Sequence, residues 1–335
     1  LLLVSVAAYG IASRATLTEI MWIAMVYFGT ALLFGLISEV VHGVFRPWVS
    51  GYRLAGTQHP NTIGMNASLL CMAAGLLAYQ YRNYRWLYLA IAGFGVLALL
   101  LTKSRTSLAA FGAAVLVMAL LRTTAQFRVL IGSLAVGAVC IVGIAFNFAN
   151  SRDVGDVSAA ASLGRSEDVG SLTGRVPLWH EMLKSVGDHP LLGFGYGSFW
   201  NANRIEHISD KLRWEIPNGH NAYLDLLLNV EIVGLMLYVE LIATLIGVSS
   251  QRFFANNKIG GLFVVGIATF LSVHALAESL VLAQGIPSLL LLACSARLAL
   301  FAAGDPARSD VEIVALSQGA SPAGPFDQLV TKPQL

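Results

Sequence analysis

The chain has 335 residues, of which Lys and Arg total 21 and Asp and Glu 19, so 12% carry formal charge while 56% are hydrophobic. A soluble domain carries about a quarter charged residues. With a mean hydropathy of +0.69 and several apolar stretches near the ~20 residues that a ~30 Å hydrocarbon slab requires, a water-soluble globule is excluded, as are disordered and fibrous classes. The net charge of +2 is too small for nucleic-acid binding, and the basic residues stand singly between apolar runs. Partners should therefore be membrane lipids or lipid-linked molecules. Cys71, Cys140 and Cys294 all lie inside apolar runs, so no extramembrane pair is available for a disulfide or a metal cluster. The chain opens on LLLVSVAAYGIA without an initiator Met, which reads as the end of a span with earlier helices expected before it. No cleavable signal peptide is read in it.

Apolar runs set against charge breaks predict spans at 1–12, 19–41, 61–80, 86–102, 106–121, 128–148, 220–249, 259–281 and 285–303. The fold class expected is all-α, a polytopic transmembrane helical bundle of about nine spans. Period-2 alternation is absent, which argues against an outer-membrane barrel. The chain divides into transmembrane helices at 1–148, a large loop at 149–219 containing short helices, further transmembrane helices at 220–303 and a disordered cytoplasmic tail at 304–335, rich in Pro, Gly and Ser. No internal repeat of fixed period is apparent.

The 71-residue loop holds 16 of the charged residues, and a connection of that length is usually functional. If spans alternate, Arg14, Arg82, Arg85, Arg122, Arg128, Arg252, Lys258 and Arg297 fall on one face, and Arg46, Arg53, Lys103 and Arg105 on the other. The positive-inside rule then places the large loop outside, in the periplasm of a bacterial inner membrane. Basic residues retained on the outer face against that bias suggest an anionic ligand handled there.

Candidate residues converge on that face. RLAGTQHPN (53–61) brings Arg53, His59 and Asn61 to the start of a span, where Pro60 forces an extended approach and Asn61 is expected to cap the helix. TKSRTS (102–107) sets Lys103 and Arg105 in a tight turn between two spans. In the loop, TGRVPLWHEMLKSVGDHPLLGFGYGSFW (173–200) predicts a helix from Thr173 with Pro177 in its first turn, a stop at Gly187 to Pro190, then a glycine-rich turn. Val176, Trp179, Leu183 and Val186 give that helix an apolar face against the membrane surface or the bundle. Arg175 at its start is either a salt-bridged surface residue or a phosphate fork, since guanidinium matches phosphate oxygens bidentately. In NGHNAYLDLLLNVEIVGLMLYVE (218–240), His220 falls in the first turn of a span. There it is either an interfacial residue or a proton acceptor beside an anion attracted by the helix dipole. Asn221 and Asp225, one turn apart, would orient neighbouring helices. His274 and Glu278, four apart toward the outer end of a helix, fit a buried polar contact better than a metal pair, with Glu278 as partner for an arginine.

These motifs, in this order around a large loop, resemble the O-antigen ligase and polymerase superfamily of bacterial membrane glycosyltransferases. RLAGTQHPN, SRTS, TGRVPLWHEML with HPLLGFGYGSF, and GHNAYLDLLLNVEIVGL carry the resemblance, which spans roughly residues 53 to 240. It implies about twelve spans in family members, and transfer of a glycan from an undecaprenyl-diphosphate carrier to an acceptor hydroxyl on the periplasmic side, with inversion and without metal or other cofactor. A ligase would use lipid A-core as acceptor, a polymerase another lipid-linked repeat unit. By matching position, Arg105 and Arg175 would bind the diphosphate and His220 would be the base. Arg53, His59 and Asn61 match a pattern without a settled role, and Lys103, Asn221 and Glu278 would support the site. The chemistry agrees: preorganised arginines stabilise a departing diphosphate, and an imidazole contributes about 10²–10⁴-fold as general base. The rival of another class is a transporter or flippase for an anionic lipid or solute, which should carry ionisable residues near the midplane of several spans. A purely structural membrane subunit is a third reading, with no need of basic residues on the translocated side.

Overall fold

The computed structural model describes residues 2–124, 126–127, 175–186, 193–256, 259–279 and 285–302. Among them the regular structure is helical, without a strand. The helices are α1 (Leu2–Arg14), α2 (Leu17–Val41), α3 (Pro60–Gln80), α4 (Arg85–Thr102), α5 (Arg105–Leu121), α6 (Arg175–Val186), α7 (Ala202–Leu212), α8 (Ala222–Asn256), α9 (Ile259–His274) and α10 (Ile286–Ala302). Four helical stretches, at Leu17–Val41, Pro60–Gln80, Arg82–Thr102 and Ala222–Ala255, are long and apolar enough to cross a membrane. Shorter apolar helices occupy Leu2–Arg14, Arg105–Leu121, Ile259–His274 and Ile286–Leu300. The chain is a multi-pass membrane protein.

Local sequence sets the helix starts. Thr16 and Glu19 form a reciprocal capping box for α2. His59 caps α3 ahead of Pro60, where the missing N–H of proline is no loss, and Ser104 caps α5 through the Ser107 amide. α3 and α9 are buried on nearly all sides, and α3 packs on α2, α4 and α5 while α9 packs on α5 and α8. Small residues permit the close approaches: a Cβ on Gly64 would meet Ser107 Oγ at 2.8 Å, and one on Gly95 would meet Cys71 Sγ at 2.6 Å. Around this centre Ile23, Val26, Phe34, Leu97, Leu100, Met236 and Leu237 point outward, as side chains facing lipid tails should. Cys71 and Cys294 are buried free thiols; Cys140 lies outside the described residues.

The expectation of one continuous span at 220–249 is corrected. α8 contains Glu231 at φ 54, ψ −161, which no helix accommodates, and the chain turns back there. The rings of Tyr223 and Tyr238 lie 5.8 Å apart, whereas 15 residues of straight helix would separate them by ~22 Å. Residues 222–230 therefore pack on two sides, Leu228 with α6 and α7 and Leu226 with the main apolar centre, while 232–256 forms the longer apolar arm. A second apolar cluster joins 222–230 to α6 and α7: Leu178, Met182, Phe199, Ile208, Ile216 and Leu228 are all buried together. Glu231 is one of three acids in that predicted span, with Asp225 and Glu240, and hydropathy does not single it out.

The break leaves carbonyls at the end of 222–230 without helical donors, and the glycine-rich turn supplies them. Phe194 N donates to Leu228 O at 2.9 Å and Gly195 N to Asn229 O at 3.1 Å, while Gly197 N donates to Asn229 Oδ1 at 2.9 Å. Helix α6 buries Leu178 and Met182, with Trp179 and Val186 beside them. The expected face was partly wrong, because Val176 and Leu183 are exposed. The stripe that meets α7 and 222–230 is rotated from the one that spacing suggested. α7 itself was not anticipated; Glu181 ties it to α6 by accepting from Lys184 and Lys211, each at 2.7 Å. The span expected at 259–281 ends at His274 and gives way to turns through 275–277, so Glu278 does not share a helix with His274. The predicted helix start at Thr173, the stop at Gly187 to Pro190, the span 128–148 and the tail 304–335 lie outside the described residues.

Gly193 has φ +65, and a Cβ there would lie 2.8 Å from backbone atoms of Asn229 and Leu228. Gly193→Ala is expected to loosen the glycine turn from 222–230 by about 1–3 kcal/mol, seen as faster proteolysis within 193–216 in detergent. Gly197→Ala, with φ +71 but open space, should cost less, about 1–2 kcal/mol.

Candidate functional site

The loop from 42 to 59 forms one wall of the site, and a buried carboxylate fixes it. Glu39, near the end of α2, accepts from Ala55 N at 2.8 Å and Gly56 N at 2.7 Å through one oxygen, and from the Tyr52 hydroxyl through the other. Burial, reinforced by that bond and the Glu39 charge, pushes the Tyr52 hydroxyl above its ordinary value. Gly56 sits against Gly35 so closely that a Cβ would meet its Cα at 2.9 Å. Nothing in the spacing of the sequence singled out Glu39, although an acid within an apolar span deserves such a role.

Held this way, the loop delivers Arg53 to the end of α4. Its Nε donates to Thr102 O at 2.8 Å, and its Nη2 donates to Asn61 Oδ1 at 2.9 Å. The expectation that Asn61 caps α3 is corrected. Pro60 occupies the first helical position, so the cap falls to His59, whose Nδ1 accepts from Asn61 N at 3.2 Å. That leaves the Asn61 side chain to bridge outward, and its Nδ2 donates to Glu278 Oε1 at 2.5 Å.

Glu278 gathers the remaining pieces. Arg175 Nη2, from the first residue of α6, donates to the same Oε1 at 2.9 Å. His220 Nδ1 faces Oε2 at 3.8 Å, beyond hydrogen-bond length. His220 lies two residues before α8 and not in its first turn. Asn221 caps the helix instead, its Oδ1 accepting from the Tyr223 and Leu224 amides at 3.1 Å each, and Ala222 N donates to Ala275 O at 2.9 Å. His220 takes a left-handed backbone, φ +46, with its N–H on Asn218 Oδ1 at 3.0 Å and its ring 5.8 Å from that of Trp214. Asp225 accepts from Trp200 Nε1 at 2.8 Å and lies near enough for its charge to act on His220.

Beneath these groups runs a polar stitch that the sequence did not reveal. Ser104 Oγ donates to Ser107 Oγ at 3.0 Å, and Ser107 Oγ lies 3.2 Å from both Asn61 O and His274 Nε2. Arg105 opens α5 between these two serines, and Lys103 forms the left-handed turn that ends α4. Arg53, Asn61, Glu278, Arg175 and His220 thus form one chain of contacts, His59 joins it through the backbone, and Lys103 and Arg105 occupy the adjoining turn. Among the described residues no three His, Cys, Asp or Glu side chains are grouped as a metal would need.

Two guanidinium groups share this pocket with a single carboxylate, so an arriving anion finds fork-shaped donors already aligned. A half-buried imidazole stands beside them. Residues 88–239 match the family model described as O-Antigen ligase. Over this segment, a little under half of its length, the chain is similar to that family. That family implies glycosyltransferase activity of the ligase or polymerase type on glycan and lipid-linked substrates. The matched segment takes in Arg105, Arg175 and His220, while Arg53, Asn61 and Glu278 lie outside it. A comparison with curated proteins finds no match.

Burial holds the His59 imidazole below its ordinary 6.5; the Glu278 charge opposes this and Arg53, His220 and Arg175 add to it. As a cap acceptor the ring must be neutral, so the stability it lends is present above pH 6.5 and is lost as pH falls through the lowered folded value. His59→Asn, which keeps a cap, should remove that part of the pH dependence of thermal stability as pH falls below 6.5. His59→Ala should cost about 1 kcal/mol at pH 7.5.

Proposed function

We propose that this chain transfers a glycan from an undecaprenyl-diphosphate carrier to an acceptor hydroxyl, with lipid A-core as the acceptor, on the periplasmic side of a bacterial inner membrane. The reaction inverts the anomeric centre and uses no metal. The observation that carries this reading is that Arg175 and His220, far apart in the chain, meet at one carboxylate beside the Arg53 and Asn61 wall. Arg175 and Arg105 bind the diphosphate, and His220 serves as base. Arg53, His59, Asn61, Lys103, Asn221 and Glu278 hold the frame.

In this mechanism the acceptor oxygen attacks the anomeric carbon from the face opposite the leaving group. Its proton passes to His220, the bond from carbon to phosphate oxygen breaks, and the electron pair departs with the lipid diphosphate. Arginines already fixed in position stabilise that growing charge without reorganising. The absence of a paired-carboxylate arrangement among the described site residues fits transfer from an activated donor better than hydrolysis. The clustering of ionisable side chains at one end of the helices, not at mid-span, favours this reading over a transporter.

Arg175→Lys keeps the charge and loses the fork, so glycan transfer should fall by about 10²-fold or more with normal membrane insertion; full activity would remove Arg175 from the site. His220→Ala should abolish transfer and leave undecaprenyl-diphosphate binding largely intact. A chelator should leave turnover unchanged, and inhibition reversed by Mg²⁺ would exclude the metal-free mechanism. In a deletion strain, full-length lipid-linked chains should accumulate, whereas single unpolymerised repeats would identify a polymerase.

A further inference from the structure

Glu278 touches both halves of the machinery proposed above, and its two oxygens are treated differently. Oε1 accepts from Arg175 and Asn61. Oε2 faces His220 Nδ1 across 3.8 Å, and that ring nitrogen is buried without a hydrogen-bond partner. His220 is the fixed member of the pair, since its left-handed backbone, its bond to Asn218 and the Trp214 ring all restrain it. The surrounding strap is equally fixed: Trp179 Nε1 donates to Gly219 O at 2.9 Å, Ile216 is buried in the second apolar cluster, and Arg213 takes φ +61 at the end of α7. Glu278 follows the end of α9 in an irregular stretch, where a side chain can shift without disturbing a helix. About 1 Å of movement separates the present spacing from a hydrogen bond.

We propose that Glu278 is a donor-sensing switch for His220. Arg175 and Asn61 hold the carboxylate; a diphosphate that takes Arg175 releases it to accept the Nδ1–H of His220. The inference rests on the base role given to His220 in the preceding section. With Nδ1–H directed at Glu278, Nε2 carries the lone pair that removes the acceptor proton. As the acceptor oxygen bonds to the anomeric carbon and the diphosphate leaves with its electron pair, the imidazolium is stabilised by the carboxylate that the donor set free. The other ionisable groups facing this point are Arg53 through Asn61, His59 at the head of α3, His274 beneath and Asp225, whose charge reaches His220. Asp225 is held by the Trp200 indole, so Glu278 is the carboxylate that meets Arg175, and the diphosphate competes with it there. The base is then fully oriented only when donor is present.

The test uses the full chain in lipid nanodiscs, with undecaprenyl diphosphate as binding probe and a lipid-linked glycan for turnover. Glu278→Gln should bind the probe as tightly as wild type or several-fold tighter, lower turnover by about 10²-fold or more and shift the acid limb of the pH–rate profile. On a His220→Ala background, where transfer is already lost, it should change probe binding no more than it does alone. Wild-type turnover and pH profile in Glu278→Gln, or probe binding lost in proportion to turnover, would overturn the switch. Glu278→Asp, which retains the charge should Gln destabilise the fold, is expected to keep the wild-type pH profile; a profile like that of Gln would also overturn it. A fully active His220→Ala would instead defeat the base assignment, whereas an inactive His220→Ala beside an unaffected Glu278→Gln defeats the switch alone.

Discussion

A buried carboxylate with too few partners is among the most costly features a protein can carry, and Glu278, 8% exposed, is satisfied only because separate parts of the chain reach it. Asn61 comes from the head of α3 and Arg175 from the first residue of α6; His220 faces it from the strap before α8. Docking of the extramembrane helices onto the bundle and assembly of the site are therefore the same event. Remove the carboxylate and Arg175 and Asn61 lose the acceptor they share; remove Arg175 and a buried charge is left short of its cation.

Glu39 repeats the device on the opposite wall. Its oxygens gather the Ala55 and Gly56 amides and the Tyr52 hydroxyl, which turns a connection of nearly twenty residues into a fixed support for Arg53. From there the order passes to Thr102 O and Asn61 and so to Glu278. The two acids are linked through Arg53. Rigidity at the site thus arises from charge-assisted hydrogen bonds at helix ends, while the apolar centre around α3 and α9 fixes only where those ends are.

Helix positions along the bundle were legible because a hydrocarbon slab demands uninterrupted apolar length, whereas the caps Thr16, His59 and Ser104 that set the starts at Leu17, Pro60 and Arg105 were not picked out. Alternation of spans led to the expectation that Arg53, Lys103, Arg105, Arg175 and His220 approach one face above Glu278; of these, Arg53, Arg175 and His220 join Glu278 in one chain of contacts through Asn61, while Lys103 and Arg105 stand in the adjoining turn. Other features were hidden for a physical reason. Hydropathy treats Glu231 as one acid in a long apolar run, and only tertiary contacts reveal that the chain reverses there. The buried stripe of α6 depended on which neighbour it meets, so Leu178 and Met182 prevailed over Val176 and Leu183. Asn61 looked like a cap because capping and bridging use the same amide, and Pro60 decided between them by displacing the cap to His59.

The distribution of irregular backbone carries a further consequence. Among the described residues the four non-glycine positions with positive φ are Lys103, Arg213, His220 and Glu231, and the first three border the site or its strap. Inside a lipid slab unbroken helices satisfy their own amides, so strain and exposed carbonyls are tolerated only where packed protein or water can answer them. Here they are answered in detail: by the glycine turn at Leu228 and Asn229, by Asn218 for the His220 amide, and by Ser209 for Ile216 and the end of α7. Arg213 and His220 bracket the strap that carries Trp214, so the orientation of the imidazole is set by two backbone conformations disfavoured in isolation and retained by their surroundings. Placement of a proton acceptor to within a fraction of an ångström needs such over-determination, and a flexible loop of the same sequence length would not supply it.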